Sequence, residues 1–226
     1  MIRGILIAGN ESSLLSALCV EAAKRVENYA VALIPGNDVQ ESTGVQNQPG
    51  HRPSQNRQIT LDWNPSSPVS AKTLVLSAIN KMEHIDDAIL VCVPPAYRKN
   101  PEMFSTEEID RFIDSNIKGW FFLARELTAE FNARKRGNLS LVLPEFNAGA
   151  EDAPDFARPV AAAAFRSFAQ GILLSSLNMP YSAMGFSLPE PGEEKAFAAY
   201  VFKTMEEGKR QTGRWHKFGK FGLFNR

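Results

Sequence analysis

The feature that most constrains the fold of this chain is a regular alternation of short apolar runs with longer stretches of helical periodicity. The short runs are apolar almost throughout, as expected for strands that are buried on both faces of a parallel sheet. They lie at 4–9, 30–34, 59–62, 87–93, 139–143 and 181–188, and a shorter final strand is predicted at 213–218.

Helices are predicted between these runs, at 13–28, 69–82, 105–137, 158–177 and 193–208. In the first of them, Leu14, Leu18 and Ala22 recur at a spacing of four residues, which places them on one face. The third begins with Ser105 and Glu108 at the spacing of a capping box. Its apolar residues are predicted to share one broad face: Ile109, Phe112, Ile113, Ile117, Phe121, Ala124 and Phe131.

This order predicts an α/β fold, with a doubly wound, mostly parallel, Rossmann-like sheet and helices on both faces. Residues 1–226 then form a single Rossmann-like domain. The polar stretch at about 36–58 is predicted to be a mobile loop, and about 213–226 form a tail rich in aromatic and basic residues. Ligands of such folds bind at the carboxyl ends of the strands, so the residues that follow each strand are the functional candidates.

Charge and composition exclude several classes of function. The 25 basic and 25 acidic residues cancel, which argues against a general nucleic-acid binder or membrane-surface binder. Cys19 and Cys92 are predicted to be buried thiols rather than a disulfide, and the three histidines lack the spacing of a metal site. With neither a signal peptide nor an apolar window of about 18 residues, the expected location is cytoplasmic.

Several short motifs occur in a recognisable order along the chain. Gly9 opens a turn after the first strand, Asp62 follows the third strand, and Asn116 precedes Gly119 in an Asn-x-x-Gly pattern. Pro191-Gly192 and Thr212-Gly213 come later. This order resembles the short-chain dehydrogenase/reductase family, an NAD(P)-binding Rossmann group, over nearly the whole chain.

The resemblance implies a cofactor site formed by Gly9, Ser12, Ser13 and Asp62. The family's phosphate turn keeps only its first glycine here, and Glu11 adds a negative charge. A phosphate about 4 Å from that charge is repelled by about 1 kcal/mol in water, or roughly 4 kcal/mol at an effective dielectric constant of about 20. The attraction between the helix N-terminus and a phosphate contributes only about 0.3–1 kcal/mol. We therefore predict no cofactor, with NAD or NADP as the alternative.

The catalytic positions that the resemblance implies have largely lost their chemistry. Only the asparagine, Asn116, is present; Pro144 stands at the place of the serine, Arg158 at that of the tyrosine and Ala162 at that of the lysine. The predicted function is accordingly a catalytically degenerate protein, a pseudoenzyme acting as a binding or assembly subunit. The alternative is an NAD(P)-dependent oxidoreductase with displaced acid/base residues.

Candidates for the displaced acid or base are Glu145 and Tyr97. Glu145 belongs to an acidic group with Glu151, Asp152 and Asp155, which can hold a cation or basic ligand, although a charged surface loop is the favoured interpretation.

Two of the implied site residues also have plain structural explanations. Asn116 is explained as well by a solvated or capped amide within a helix, and we favour this explanation. For Asp62 we favour the start of an Asx turn toward Asn64-Pro65.

Aromatic residues indicate self-association. Trp120, Phe121 and Phe122, and Phe165, Phe168 and Ile172, lie on the two helices that form the family's dimer interface, so a homodimer or homotetramer is expected. The tail interleaves Lys and Arg with Trp215, Phe218, Phe221 and Phe224. Such a pattern fits packing against a neighbouring subunit, which we favour, or stacking on single-stranded nucleic acid.

Overall fold

The computed structural model of the protein describes residues 3–34, 57–145 and 155–219. The loop predicted at 36–58 lies outside the described residues, except that 57–58 already belong to a strand. Glu151, Asp152, Phe221 and Phe224 also lie outside them.

The described strands form one parallel sheet in the order β3-β2-β1-β4-β5-β6-β7. This arrangement confirms the predicted doubly wound fold, including its short last strand. The strands are β1 Ile5–Gly9, β2 Asn28–Leu33, β3 Arg57–Leu61, β4 Asp87–Val91, β5 Asn138–Pro144, β6 Ser182–Leu188 and β7 Arg214–Lys217.

Helices cover both faces of the sheet. They are α1 Ser13–Ala23, α2 Pro68–Met82, α3 Thr106–Ile113, α4 Gly119–Arg134, α5 Ala157–Ser175 and α6 Glu194–Glu206. Leu6 and Ala8 of β1 face α2, α4 and α5, whereas Ile5 and Ile7 face α1 and α6. The strand's two-residue period thus gives the sheet an apolar core on each side.

Helix α1 ends at Ala23, five residues before the predicted end at 28. The N–H groups of Arg25 and Val26 donate to the carbonyl of Ala22 over 2.9 and 3.2 Å, and the chain then enters β2. The early end is caused by a tertiary contact: because Tyr29 pairs with Ile5 in the sheet, the chain must leave the helix before residue 28. Val26 stays buried in the connection, which is why its spacing matched a helix.

The prediction of one broad apolar face along 105–137 is wrong. A π-helical segment, Asp114–Lys118, joins α3 to α4, and the N–H of Gly119 donates to the carbonyl of Asp114 five residues back. Such a turn holds one residue more than an α-helical turn and shifts the register of side chains. Ile109 is therefore 44% exposed and Phe121 55% exposed.

Both cysteines are buried free thiols, as predicted. Burial raises the pKa of Cys19 to about 12 and raises that of Cys92 as well. These thiols are therefore protonated near neutral pH and behave as small apolar side chains.

Among the described residues, length and composition alone would let one helical stretch, Ala157–Asn178, cross a membrane, with a mean hydropathy of 1.3. The expectation that no apolar window reaches this length is therefore wrong by composition. In the fold, Phe165 and Ala169 of this stretch are buried in the core against the sheet, and Ala161 is buried in a smaller cluster with Phe112.

Candidate functional site

A cleft of about 430 Å³ lies at the carboxyl ends of β1, β2 and β4. The strand order reverses direction at β1, and open α/β sheets bind their ligands at such a switch point. The lining residues come from β-strand ends, the π segment and α5: Asn10, Glu11, Leu33, Ile34, Val93, Pro94, Pro95, Tyr97, Ser115, Asn116 and Arg158.

Gly9 ends β1 directly before the lining residue Asn10, at a position where there is no room for a side chain. A Cβ atom at this position would lie 2.4 Å from the carbonyl oxygen of Val91 and 2.9 Å from the Val91 Cβ. The glycine is therefore required by the close approach of β1 to β4.

Ser12 caps helix α1. Its Oγ accepts the N–H of Leu15 over 3.1 Å and donates to the carbonyl of Asn10 over 3.2 Å. Within the described residues this hydroxyl is engaged with the protein itself, which is the usual role of an N-cap serine.

Ser13 donates from its Oγ to the carboxylate of Glu194, with 3.2 Å between Oγ and Oε1. Glu194 is the first residue of α6, and hydrogen bonds from its own N–H and from that of Gly192 lower its pKa, with Ser13 adding to the effect. A carboxylate of the protein thus lies between the N-termini of α1 and α6. Helix N-termini favour an anion at that place.

Asp62 is exposed after β3 and does not line the cleft. The Asx turn predicted there is formed instead by Asn64, whose Oδ1 accepts from the N–H of Ser66 over 3.0 Å and from its Oγ over 2.8 Å. The turn leads into α2, which Ser67 caps.

Asn116 lies in the π segment, where its side chain reaches the cleft. It is 2% exposed, and its Nδ2 donates to the carbonyl of Phe112 over 3.0 Å. Its Oδ1 is buried and has no hydrogen-bond partner among the described residues. Within the described residues the amide is therefore half satisfied rather than solvated.

Arg158 lines the cleft from the first turn of α5, at the position that the resemblance assigns to the tyrosine. Its Nε lies 3.3 Å from Oδ2 of Asp155, whose Oδ1 also accepts the backbone N–H of Arg158 over 3.1 Å. Pro144 ends β5 and Ala162 packs against the core under α5, and neither lines the cleft. The three positions bring one guanidinium and no hydroxyl or amine to the site.

Tyr97 enters the cleft from the loop after β4. Its ring packs edge-on against Phe112 and at a tilt against Phe104, with 5.7 Å between ring centroids in each case. The phenol is therefore carried by a packed aromatic cluster beside Asn116.

The acidic group predicted after β5 is not assembled into one site by its described members. Glu145 is paired with Lys217 over 3.0 Å and with Arg166 over 3.6 Å, outside the cleft, whereas Asp155 holds Arg158. In the described part of the chain, no group of three or more His, Cys, Asp or Glu residues could hold a metal ion.

The two described aromatic residues of the tail pack within this chain rather than projecting from it. Nε1 of Trp215 donates to Oγ of Ser187 over 3.2 Å, and Phe218 meets Phe197 with 5.6 Å between centroids. The use of the tail as anchors in a neighbouring subunit, or as a stacking surface, stays a prediction, because Phe221 and Phe224 lie outside the described residues.

Asn10 lines the cleft and Glu194 lies beside the first turn of α1, and neither was predicted from the sequence. Asn10 directly follows the glycine that ends β1, and this position at a strand's carboxyl end could have identified it as a candidate. Glu194 offers no such signal, because its neighbour Ser13 is distant in sequence and is brought near by the packing of α1 on α6.

No family model matches this chain, and no curated protein matches it in sequence. Solved structures of short-chain dehydrogenases/reductases share its fold, which confirms the resemblance at the level of the fold.

Three of these structures show the extent of the likeness. An NADH-dependent reductase, A1-R′, complexed with NAD, has a TM-score of 0.71 and 13% identity, covering 95% of this chain and 94% of its own. A short-chain dehydrogenase/reductase from Serratia marcescens has a TM-score of 0.68 and 12% identity, with 96% of each chain covered. An apo SCOR enzyme from Clostridium thermocellum has a TM-score of 0.69 and 14% identity, covering 100% of this chain and 99% of its own.

The described residues do not fit the pyrophosphate of such a cofactor. Backbone donors and a positive helix end are what bind a pyrophosphate in this fold. Here Glu11 lines the cleft, Glu194 lies at the N-terminus of α1, and Pro94 and Pro95 have no N–H to donate.

Proposed function

We propose that this protein is a catalytically degenerate relative of the short-chain dehydrogenases/reductases, which acts as a binding or assembly subunit. The observation that carries the proposal is the ion pair of Arg158 with Asp155 in the cleft, at the position implied for the catalytic tyrosine. A guanidinium stays protonated near neutral pH, so it cannot exchange the proton that a tyrosine would. Pro144 and Ala162 supply no replacement at their positions.

What remains at the site suits binding. The cleft keeps a volume of about 430 Å³, which is within the range of about 300–1,000 Å³ typical of small-molecule sites. Its wall combines apolar side chains, such as Ile34 and Val93, with a few polar groups. Such a lining orients a ligand without needing to react with it.

Self-association through α4 and α5 is the second part of the proposal. Phe121 on α4 is 55% exposed and meets the ring of Phe168 on α5, with 4.7 Å between centroids. Leu174, later on α5, is 71% exposed. Exposed aromatic and aliphatic side chains on adjoining helices support a homodimer, which two such interfaces would extend to a homotetramer.

The test is a titration of the purified protein with NAD(H) and NADP(H), followed by thermal unfolding and by absorbance of the reduced nicotinamide in the presence of carbonyl substrates. We expect no rise in Tm at millimolar cofactor and no hydride transfer. A rise of several degrees would contradict the predicted absence of a cofactor, because a ligand that binds only the folded state stabilises it. Hydride transfer to a carbonyl substrate would contradict the prediction that the protein is a pseudoenzyme.

An NAD(P)-dependent oxidoreductase is the second candidate, and one observation favours it. Tyr97 lines the same cleft as Asn116, and its phenol is the one group there of the type that the family uses as an acid. Glu145 is a poorer candidate because Lys217 and Arg166 hold it outside the cleft. If any turnover were detected, Tyr97→Phe should abolish it, whereas Tyr200→Phe, which changes a phenol packed on Phe218 away from the cleft, should not.

A further inference from the structure

A second cavity, the amino-edge pocket, lies at the opposite edge of the sheet from the cleft. Its volume is about 340 Å³, which is also within the range of small-molecule sites. Its lining comes from the connections that lead into β4, β5, β6 and β7, where these strands have their amino ends. The charged members of the lining are Asp86, Lys135, Arg136 and Lys209.

Three cations and one carboxylate therefore line this pocket, in a chain whose basic and acidic residues cancel overall. The carboxylate of Asp86 is already engaged. Its Oδ1 lies 3.2 Å from Nη2 of Arg134 and 3.6 Å from Nη2 of Arg136, and its Oδ2 lies 2.9 Å from Nε2 of His84. Lys135 and Lys209 are exposed, and neither forms an ion pair with a described residue. The pocket thus carries an excess of positive charge.

The helix ends do not account for this excess. Basic side chains in the last turn of a helix interact favourably with its C-terminal carbonyl groups, and Arg134 of α4 and Lys203 of α6 already lie there. Lys135 and Lys209 follow these helices in connections that are distant in sequence, and the fold brings both to one cavity. A cavity lined by charges of one sign concentrates ions of the other sign from solution.

We propose that the amino-edge pocket binds a small, soluble, phosphate-bearing anion with two or more negative charges. Lys135 and Lys209 contribute ammonium groups from two connections, and Arg136 contributes a planar guanidinium, a group whose geometry matches phosphate oxygens. Two or more charges are expected because the three cations exceed the single carboxylate by two. The pocket is separate from the cleft, so this inference goes beyond the proposed function and does not rest on it.

The experiment is calorimetric titration of the full-length protein with inorganic pyrophosphate at low ionic strength. We expect saturable binding at one site, with an affinity that falls as sodium chloride is added, because salt screens the attraction. The double variant Lys135→Gln, Lys209→Gln should weaken pyrophosphate binding by about tenfold or more. Both side chains are exposed and glutamine is similar in polarity and helix propensity, so the variant should keep its fold.

The matched control removes the same charge from the other edge of the sheet. Lys72 and Lys195 are exposed near the starts of α2 and α6 and do not line the amino-edge pocket. Lys72→Gln combined with Lys195→Gln should leave the pyrophosphate affinity nearly unchanged. NMR locates the site: pyrophosphate should shift the amide signals of Gly137 and Gly208, which line the pocket, in the parent protein and not in the pocket variant.

The proposal is overturned if pyrophosphate does not bind at millimolar concentration, or if the control variant weakens binding as much as the pocket variant, which would indicate diffuse attraction. Binding to phosphatidylglycerol vesicles without binding of pyrophosphate would overturn it as well, because the phosphate would then belong to a lipid surface. Pyrophosphate contains neither adenine nor nicotinamide, so these results do not depend on the cleft. In the cofactor titration, stabilisation by a dinucleotide that persists in the pocket variant belongs to the cleft.

Discussion

The backbone N–H of Tyr97 donates to Oδ1 of Asp155 over 3.3 Å, which joins the loop after β4 to the start of α5. The same oxygen accepts the N–H of Arg158 over 3.1 Å. Phe156, at the N-cap position of α5, has no side chain that could cap it, so Asp155 does this from one residue earlier. One carboxylate therefore positions both side chains on this wall of the cleft.

Replacement of Asp155 by alanine should lower the free energy of unfolding by about 1–2 kcal/mol, because it removes the cap of α5 and an ion pair at once. Urea unfolding measures the loss, and hydrogen exchange should accelerate at the amides of Tyr97 and Arg158. Asp155→Asn keeps the accepting oxygen and should lose clearly less. Equal stability of Asp155→Ala and the parent would show that the contact contributes nothing.

Replacement of Gly9 by alanine should lower the free energy of unfolding, whereas replacement of Gly171 by alanine should raise it. Gly9→Ala should cost about 2–3 kcal/mol of unfolding free energy, because its Cβ would lie 2.4 Å from the Val91 carbonyl oxygen in the centre of the sheet. Gly171→Ala should gain about 0.5–1 kcal/mol, since nothing lies within 4 Å of a Cβ on that exposed turn of α5. Chemical denaturation of both variants checks the pair; a neutral Gly9→Ala would contradict the close strand approach.

Stability should fall as the pH drops below about 6.5, through His216. Burial lowers the pKa of this imidazole from its ordinary value of 6.5, and the ring stacks on Phe186 with 5.2 Å between centroids. The unfolded chain therefore binds the proton first as the pH falls, so the stabilisation is present above about pH 6.5 and is lost between that value and the lower folded pKa.

His216→Phe should flatten the dependence of Tm on pH in this window while keeping the stacking. An NMR titration of His216 measures its pKa directly, and a value at or above 6.5 in the folded protein would contradict the expected sign.

Phe121→Glu should dissociate the proposed homodimer. A charge in the centre of an apolar contact typically costs 2 kcal/mol or more, so we expect the dimer Kd to rise by about 30-fold or more. Light scattering coupled to size exclusion measures the shift. Val20→Glu is the control, since Val20 is 59% exposed on α1, on the opposite face of the sheet. A parent protein that is monomeric throughout would refute the interface.

The sheet could be predicted well from the sequence because each buried strand is a short, continuous apolar run, which is a local pattern. The run at 139–143 appears within β5, Asn138–Pro144, and even the short β7 was expected. The end of α1 was missed because the pairing of Tyr29 with Ile5 decides it, and no local pattern contains that pairing.

The residues of the candidate site also divide into those that a local pattern predicted and those that depend on long-range contacts. Asn116 and Arg158 were placed by motif order, and both line the cleft. The contact of Ser13 with Glu194 depends on two helices that meet only in the folded chain, so the sequence alone did not reveal it. Long-range contacts of this kind determine which charges a site presents, whereas local patterns determine only where the site lies.

The π segment Asp114–Lys118 makes the number of residues between β4 and β5 as important as their identity. Each helical residue turns the chain by about 100°, so a one-residue deletion there would rotate α3 against α4 by that angle. Phe112 would leave the ring of Tyr97, or Trp120 would leave Trp63, from which it is now 5.4 Å away between centroids. We therefore expect side-chain substitutions in this stretch to be tolerated more often in evolution than insertions or deletions.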